Sequence, residues 1–243
     1  MHIIKLNAID STNAYLKAIS VKKVPKDFTV VVAEEQTKGR GQMGAHWQSE
    51  TSKNLTLSLF KEVSFLKVEQ QFYISKVVAL AIIKTLEILN IPKLSIKWPN
   101  DILSANKKIS GVLIENVIKN NKLQGSIVGI GLNINQKFFN NLPKASSLHL
   151  LTGVVYNKDE VMSLLLKQLE FYFRKLESLS FKDISEEYES LMFRINKPST
   201  FKALNETQFI GYIKGVSEEG KLQILLEDNI IKAFDLKEVS LEY

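Results

Sequence analysis

Cysteine is absent from the 243 residues, which excludes disulfide bonds, thiolate catalysis and cysteine-ligated zinc sites. Glycine and proline are few, at 11 and 5 residues, and 45% of the residues are hydrophobic, an ordinary balance for a globular protein. No apolar run approaches the roughly 20 residues that a membrane-spanning helix needs. Residues 1–7 lack the charged start and apolar middle of a signal peptide. These absences favour a cytoplasmic protein that does not bind membranes.

An excess of positive charge is present, with a net charge of +6 and a pI of about 9.2. Such a balance raises the possibility of a nucleic-acid partner. However, no block of five or more like charges occurs, and lysines alternate with acidic residues along the helical segments. The charge by itself is therefore compatible with long-range attraction of ATP or of an acidic protein, and it does not decide the function.

The spacing of apolar residues predicts an α+β fold. Alternating or β-branched runs predict strands over residues 2–7, 28–33, 54–60, 94–98, 109–118 and 123–134. Helical spacing predicts helices over 14–19, 68–89, 158–179 and 184–193. Asn120 and Asn121 tolerate positive φ and predict a hairpin turn between the last two strands. Strand 54–60 is expected to be half-buried, because its apolar residues alternate with polar ones.

The character of the chain changes near residue 195. Residues 199–243 contain several short strand-like runs with turns at 218–220 and 227–229, and they show no helical period. We therefore predict a larger α+β domain over residues 1–195 and a small β-barrel-like module over residues 196–243.

A glycine-punctuated segment over residues 36–47 follows a predicted buried strand. Gly39, Gly41 and Gly44 allow backbone N–H groups to turn towards an anion, and Arg40 adds a cation whose fork geometry suits phosphate or carboxylate. The segment lacks the Gly-Lys-Ser/Thr ending of a phosphate-binding P-loop, and no helical pattern begins at Gly44 as a dinucleotide fingerprint requires. Taken alone, a glycine-rich segment of this kind is more often a flexible connection than a binding loop.

Three further segments combine turn or strand signals with polar groups. They are Lys-Trp-Pro-Asn-Asp over 97–101, the run from Lys107 to Glu115, and Gly-Ile-Gly-Leu-Asn over 129–133. The first is also an ordinary turn sequence. In the last, two glycines on a strand permit a ligand to approach the backbone.

The order of these segments, after Asp-Ser-Thr-Asn at 10–13, resembles the biotin–protein ligase family. The marks of that family are a Ser-Thr-Asn, a Gln before a Gly-Arg-Gly loop that ends in Trp, Lys-Trp-Pro-Asn-Asp, Lys-x-x-Gly-x-Leu-x-Glu and Gly-x-Gly-x-Asn, and all five stand here in sequence. The resemblance covers essentially the whole chain. It implies a mixed-sheet catalytic domain of the biotin/lipoate ligase type, followed by a small SH3-like C-terminal β-barrel.

The resemblance also implies which residues bind biotin and ATP. Polar groups of Ser11, Thr12 and Gln36 would hold the ureido ring, and Gly111, Leu113, Gly129 and Gly131 would let the bicyclic ring lie against the backbone. Gly39, Arg40, Gly41 and Gln42 would meet the phosphate and the biotin carboxylate, while Trp47 and Asn133 would contact the adenine. The remaining expected cofactor-binding residues are Asn13, Lys97 and Asn100.

The implied reaction forms biotinyl-5′-adenylate and pyrophosphate, and then transfers biotin to a lysine of a biotin carboxyl carrier domain. Arg40, Lys108 and bound Mg²⁺ would neutralise the reacting anions, with no protein residue assigned as a metal ligand. Asp101 would orient or deprotonate the acceptor lysine, whose ordinary pKa is about 10.4, and Lys108 would stabilise charge on the acyl oxygen.

Some features limit the resemblance. Gln42, Met43 and Ala45 stand where many family members have arginines, so the loop has fewer cations and we do not expect it to retain the adenylate tightly. The Ser-Thr-Asn motif begins at residue 11, which leaves no room before it for a helix-turn-helix domain, so we expect no DNA binding. Members often dimerise, and a homodimer is possible here.

Two alternatives stay open on the sequence. A lipoate–protein ligase shares the adenylation chemistry and a similar Lys-Trp-Pro-Asn-Asp motif. The loop ending at Trp47 and the glycines of 129–133 favour biotin. A non-catalytic ligand- or nucleic-acid-binding regulator is the alternative from another class, although no recognition helix or aromatic-studded basic strand is apparent.

Overall fold

The computed structural model describes residues 1–243, and its larger part is a seven-stranded mixed sheet flanked by helices. The strands are β1 (His2–Ile9), β2 (Thr29–Gln36), β3 (Leu55–Glu62), β4 (Leu94–Lys97), β5 (Asp101–Ser104), β6 (Lys107–Lys119) and β7 (Lys122–Leu132). Their spatial order is β1-β2-β3-β7-β6-β5-β4, and β1 is parallel to β2 while every other pair is antiparallel. The long β6–β7 hairpin is thus the centre of the sheet.

Five helices accompany this sheet. They are α1 (Thr12–Lys22), α2 (Phe72–Ile88), α3 (Leu148–Thr152), α4 (Lys158–Glu177) and α5 (Phe181–Ser190). The side chain of Ser11 caps α1, and that of Asn157 caps α4, each accepting backbone hydrogen bonds from the first turn. None of the helices has the length and apolar character needed to cross a membrane.

The two faces of the sheet are covered differently. Helices α2 and α4 pack on one face, where 45 buried residues form a continuous hydrophobic core. Helix α1 covers part of the other face, with a small cluster of Leu16, Val31, Phe60 and Ile127 beneath it. The rest of this second face is left to loops, and it carries the candidate site.

A second, five-stranded antiparallel sheet follows α5. It contains β8 (Pro198–Ala203), β9 (Gln208–Val216), β10 (Leu222–Leu225), β11 (Ile231–Phe234) and β12 (Val239–Glu242), in the order β11-β10-β9-β8-β12. The α+β class and the all-β end of the chain are confirmed. The expected β-barrel is corrected to an open sheet, because the edge strands β11 and β12 do not pair with each other.

The predicted boundary near residue 195 lies between α5 and β8. Buried residues of the second sheet, including Phe201, Ile213 and Leu222, belong to the same hydrophobic core as the first sheet. The two sheets therefore share packing, and the division into domains 1–195 and 196–243 remains a prediction.

Several local predictions need correction. Strand β3 is buried on both faces from Leu55 to Lys61, not on one, because α1 covers its polar side. The helix expected from residue 68 begins at Phe72, since residues 68–70 form a 3₁₀ turn in which the Gln70 side chain accepts from Lys67 N at 3.1 Å. Strand β5 and helix α3 were not predicted. The hairpin at Asn120 and Asn121 is confirmed, with φ of 51° and 55°.

Candidate active site

A cavity of about 270 Å³ opens on the α1 face of the seven-stranded sheet. Its walls come from the start of α1, the end of β2, the glycine loop after β2, and β5, β6 and β7. The lining residues are Ser11, Thr12, Asn13, Gln36, Arg40, Gly41, Gln42, Met43, Ala45, His46, Trp47, Leu57, Asn100, Asp101, Lys108, Gly111, Val112, Leu113, Gly129, Ile130 and Gly131. Segments more than 100 residues apart in the chain therefore meet around one space.

One wall is a polar network at the start of α1. Gln36 Oε1 accepts from the backbone N of Thr12 at 2.8 Å and from its hydroxyl at 3.0 Å. Because its carbonyl oxygen is used in this way, Gln36 has its amide nitrogen free to donate to a ligand. The Ser11 hydroxyl lies 3.4 Å from Ala14 N, so the same segment is both a helix cap and a cavity wall.

A second layer behind this wall holds Asn13 in place. Ser58 Oγ lies 2.5 Å from Asn13 Oδ1 and 2.7 Å from Thr12 Oγ1, and Asn13 Nδ2 donates to Glu115 Oε2 at 3.0 Å. Burial raises the pKa of Glu115, but hydrogen bonds from Lys17 and Asn13 outweigh it and hold the pKa below its usual value. Glu115 thus stays ionised and orients the amide of Asn13. Sequence reasoning missed Ser58, whose only signal is a polar position within an apolar strand. Glu115 ends the Lys-x-x-Gly-x-Leu-x-Glu motif, but the sequence did not show its supporting role.

Paired glycines form the floor of the cavity. Gly111 on β6 and Gly131 on β7 lie directly opposite each other in the antiparallel register. The indole of Trp47 lies on them, so that a Cβ at Gly131 would overlap the indole and a Cβ at Gly111 would lie 3.1 Å from it. The missing side chains are therefore what permits a flat ring to rest on the strands.

The glycine loop is a tight hairpin. Gly41 N donates to Ala45 O at 2.7 Å, Trp47 N donates to Gly39 O at 3.0 Å, and Ala45 N donates to Gln42 O at 3.1 Å. Since these N–H groups are used within the loop, the expected backbone cradle for an anion is not formed by them in this structure. Arg40 is exposed, lines the cavity and makes no ion pair, which leaves its guanidinium available for a ligand anion.

An ion pair stands at one end of the cavity. Lys108 Nζ lies 2.6 Å from Asp101 Oδ1, with side-chain exposures of 34% and 17%, so both groups are partly buried and still reachable. Asp101 is the first residue of β5, and Asn100 before it makes two hydrogen bonds to Val112 of β6. Asn100 Nδ2 donates to Val112 O at 2.7 Å, and Val112 N donates to the backbone carbonyl of Asn100 at 3.0 Å. The pair is therefore held by the sheet itself.

Together these groups offer a cavity with the Trp47 indole on its glycine floor, a polar wall, an unpaired guanidinium and a carboxylate–ammonium pair. Such an arrangement can bind a thin ring and an anion and place a proton acceptor beside them.

Comparison with known proteins assigns the family. Residues 6–133 match the sequence model of the biotin/lipoate A/B protein ligase family. Bifunctional ligase/repressor BirA of Bacillus spizizenii is 30% identical over 239 residues, which cover 96% of this chain and 72% of that protein. This chain belongs to the biotin/lipoate A/B protein ligase family.

Other members of the family agree in fold and extent. The biotin–[acetyl-CoA-carboxylase] ligase of Mycobacterium tuberculosis is 26% identical over 216 residues, covering 87% of this chain and 79% of that protein. A biotin protein ligase structure from Aquifex aeolicus, in complex with biotin and ATP, is 32% identical with a TM-score of 0.82, covering 99% of this chain and 98% of that one. The resemblance stated from the motifs is confirmed.

The structure brings most of the predicted site residues of this ligase-family chain together. All of them line the cavity except Gly39, Lys97 and Asn133. The buried Gly39 shapes the loop, because a Cβ there would overlap the carbonyl oxygen of Trp47. Lys97 lies one strand away, with its Nζ 4.7 Å from the centroid of the Tyr243 ring, and burial lowers its pKa although Asp101 raises it.

Asn133 lies behind the floor. It is 4% exposed, and its Nδ2 donates to Ser146 O at 3.0 Å while its Oδ1 has no partner. The Nε1 of Trp47 is likewise buried without a partner. Buried polar atoms are normally hydrogen-bonded, so both atoms are available to a polar group, although only Trp47 lines the cavity.

Proposed function

We propose that this chain is an ATP-dependent biotin–protein ligase, which forms biotinyl-5′-adenylate and pyrophosphate and then transfers biotin to the lysine of a biotin carboxyl carrier domain. The observation that carries the proposal is the cavity itself: a polar wall, a glycine floor, an unpaired Arg40 and the Asp101–Lys108 pair meet in one space. The relatives described above carry the names of biotin ligases.

Biotin would lie between the polar wall and the strands. Thr12, Ser11 and the free amide nitrogen of Gln36 present the donors and acceptors that a ureido group needs. The glycines let protein side chains lie close to the strands, with Trp47 on Gly111 and Gly131 and Asn13 on Gly129, and the biotin ring would bind against these side chains. At the other end, Asn133 Oδ1 and Trp47 Nε1 would serve the adenine, which matches their lack of a protein partner.

In the first half-reaction, a carboxylate oxygen of biotin attacks the α-phosphorus of ATP. The bond from that phosphorus to the bridging oxygen of the β-phosphate breaks, and pyrophosphate leaves. The two reacting groups are both anionic, so the barrier falls when fixed cations lie beside them. Arg40 and Lys108 line the cavity and have the required charge.

Mg²⁺ is expected to enter with ATP. The chain has no group of three or more histidine or carboxylate side chains arranged to hold a metal ion. The one carboxylate that lines the cavity, Asp101, is paired with Lys108. Since Mg²⁺ is commonly held by substrate phosphates with few protein ligands, the phosphates of ATP would hold it here.

In the second half-reaction, the amine of the acceptor lysine attacks the acyl carbon of the adenylate, and the bond to the phosphate oxygen breaks to release AMP. The amine must first lose its proton, and Asp101 either orients the amine or accepts that proton. Lys108, 2.6 Å from Asp101, stabilises the negative charge that develops on the acyl oxygen. The Asp101–Lys108 pair thus places the group that handles the proton directly beside the group that stabilises the charge.

The experiment that tests this function is ATP–pyrophosphate exchange with Mg²⁺, run with biotin, with lipoate and with neither. Exchange that depends on biotin is expected. Exchange with lipoate alone would assign the chain to the lipoate branch of the family. Absence of exchange with either compound, in a folded sample, would contradict ligase activity. Adding a biotin carboxyl carrier domain and following its gain in mass then tests the transfer step.

A further inference from the structure

The seam between the two sheets lies beside the reacting end of the cavity. The seam is defined by Phe72, Trp98 and Glu189 on one side, and by Gly215, Val216 and Gly220 of the β9–β10 hairpin on the other. Trp98 Nε1 donates to Gly220 O at 2.9 Å, and Glu189 Oε1 accepts from Val216 N at 3.1 Å. The hairpin is thereby attached at two separate points, to the connection between β4 and β5 and to helix α5.

Gly220 is shaped for this contact. Its φ is +95°, a left-handed conformation that residues with a Cβ rarely adopt, and a Cβ there would overlap the ring of Phe72. Phe72 in turn packs edge-on against Tyr188, with ring centroids 6.1 Å apart. The carbonyl that receives the Trp98 hydrogen bond is therefore fixed by packing.

From Trp98 a short path leads to the reactive pair. Pro99 follows it, Asn100 is hydrogen-bonded to Val112 in both directions, and Asp101 faces Lys108 at 2.6 Å. The segment is otherwise loosely packed, since clefts of about 230 and 330 Å³ border it and Pro99 lines both. The Trp98 donor makes the single hydrogen bond between residues 97–101 and the second sheet.

We propose that Trp98 is a positioning residue for biotin transfer: its hydrogen bond to Gly220 uses the second sheet to hold Asn100 and Asp101 against Lys108. The inference rests on the ligase function proposed above. The second sheet, which contributes no residue to the lining of the cavity, thereby has a role in the transfer half-reaction. Adenylation uses the cations of Arg40 and Lys108, whereas the carboxylate of Asp101 acts only in transfer, so a displacement of Asp101 affects the two half-reactions differently.

The test compares Trp98→Phe with the unaltered enzyme. The change keeps an aromatic ring and removes the Nε1 donor. Tyr212→Phe is the matched control, because it removes one polar group from a partly exposed aromatic residue on β9 that makes no side-chain hydrogen bond. Gly220→Ala provides a second perturbation from the other side of the contact. Biotin-dependent pyrophosphate exchange, and kcat and KM for transfer to a carrier domain, are measured for all four proteins.

We expect the kcat of transfer to fall roughly three- to tenfold in Trp98→Phe, the effect of losing one hydrogen bond. Pyrophosphate exchange and the KM for the carrier domain stay unchanged, and Gly220→Ala shows the same split. Equal transfer rates in Trp98→Phe and Tyr212→Phe would overturn the inference. A parallel loss of exchange and transfer would also overturn it, since it would indicate general structural support. Absence of exchange in the unaltered enzyme would instead contradict the ligase function itself.

Discussion

Ile130 and Gly131 are neighbours on β7 and point to opposite faces of the seven-stranded sheet. Ile130 is 2% exposed and packs in the 45-residue core under α2 and α4, whereas Gly131 lies under the indole of Trp47 at the floor of the cavity. The alternation continues along the strand, with Val128 in the core and Gly129 against Asn13. One strand therefore contributes to stability and to the site with alternate residues.

Strand β3 shows the same division with different residues. Leu55, Leu57 and Leu59 belong to the core, and Ser58 supports Thr12 and Asn13 on the other face. The core face is selected for volume, because close packing penalises any void. The site face is selected for small size and hydrogen bonding, because its space must remain open to a ligand. Four substitutions test whether the two faces of the sheet contribute separately to stability and to the site.

The largest effect is expected from Lys108→Ala on the site face. Loss of the cation beside Asp101 should lower biotin transfer by at least about 100-fold, as removal of one preorganised electrostatic group does. Biotin binding and the folded structure should be retained. The measurement is single-turnover transfer from preformed adenylate, with Lys107→Ala as control, because Lys107 contacts only Pro143 O. A near-normal rate would remove Lys108 from the mechanism.

Leu59→Ala, on the core face of β3, should have its effect on stability, because Leu59 is fully buried and does not line the cavity. Truncation of this buried side chain removes apolar contacts and leaves a cavity in the core, at a cost of about 2–5 kcal/mol in the free energy of unfolding. Urea unfolding measures this cost, and biotin affinity of the folded fraction should change little. If affinity falls in step with stability, the two faces are not independent.

Gly131→Ala is the matched change on the opposite face. The added Cβ overlaps the indole of Trp47, so the KM values for biotin and ATP should rise about tenfold, consistent with an overpacking cost of roughly 1–3 kcal/mol. Steady-state kinetics measure the change, and urea unfolding should show a smaller loss of stability than in Leu59→Ala. Unchanged KM values would mean that Trp47 moves aside freely.

The smallest effect concerns Lys76, a charged residue within the apolar layer of α2. It is 1% exposed, its Nζ donates to Ser185 at 2.9 Å, and burial lowers its pKa although Glu189 and Glu218 raise it. Between the lowered folded pKa and the unfolded value of about 10.4, the unfolded chain binds more protons, so stability should rise with pH in that window. Lys76→Met should remove that rise in thermal unfolding between pH 8 and pH 10. An identical slope in both proteins would show that Lys76 is not its source.

Much of the site could be predicted because its motifs are short and contiguous. Each motif can be recognised from a few consecutive residues: the glycine loop, Lys-Trp-Pro-Asn-Asp, and the glycines of β6 and β7. Most of these residues line the cavity. The burial of β3 on both faces could not be predicted in this way, since an alternating strand shows the same pattern whether its polar side faces water or the polar start of a helix.

The sequence by itself determined the order and type of most elements, the family and most of the residues that line the cavity, because local periodicity and ordered motifs contain that information. Only the tertiary structure decided what surrounds them: Ser58 against Asn13, Glu115 against Asn13, and Trp98 against Gly220, pairs that lie 45, 102 and 122 residues apart. The physical reason is that hydrogen bonds and packing across strands depend on register and on the docking of one sheet against another. Neither the register nor the docking can be predicted from the residues of a single strand or helix.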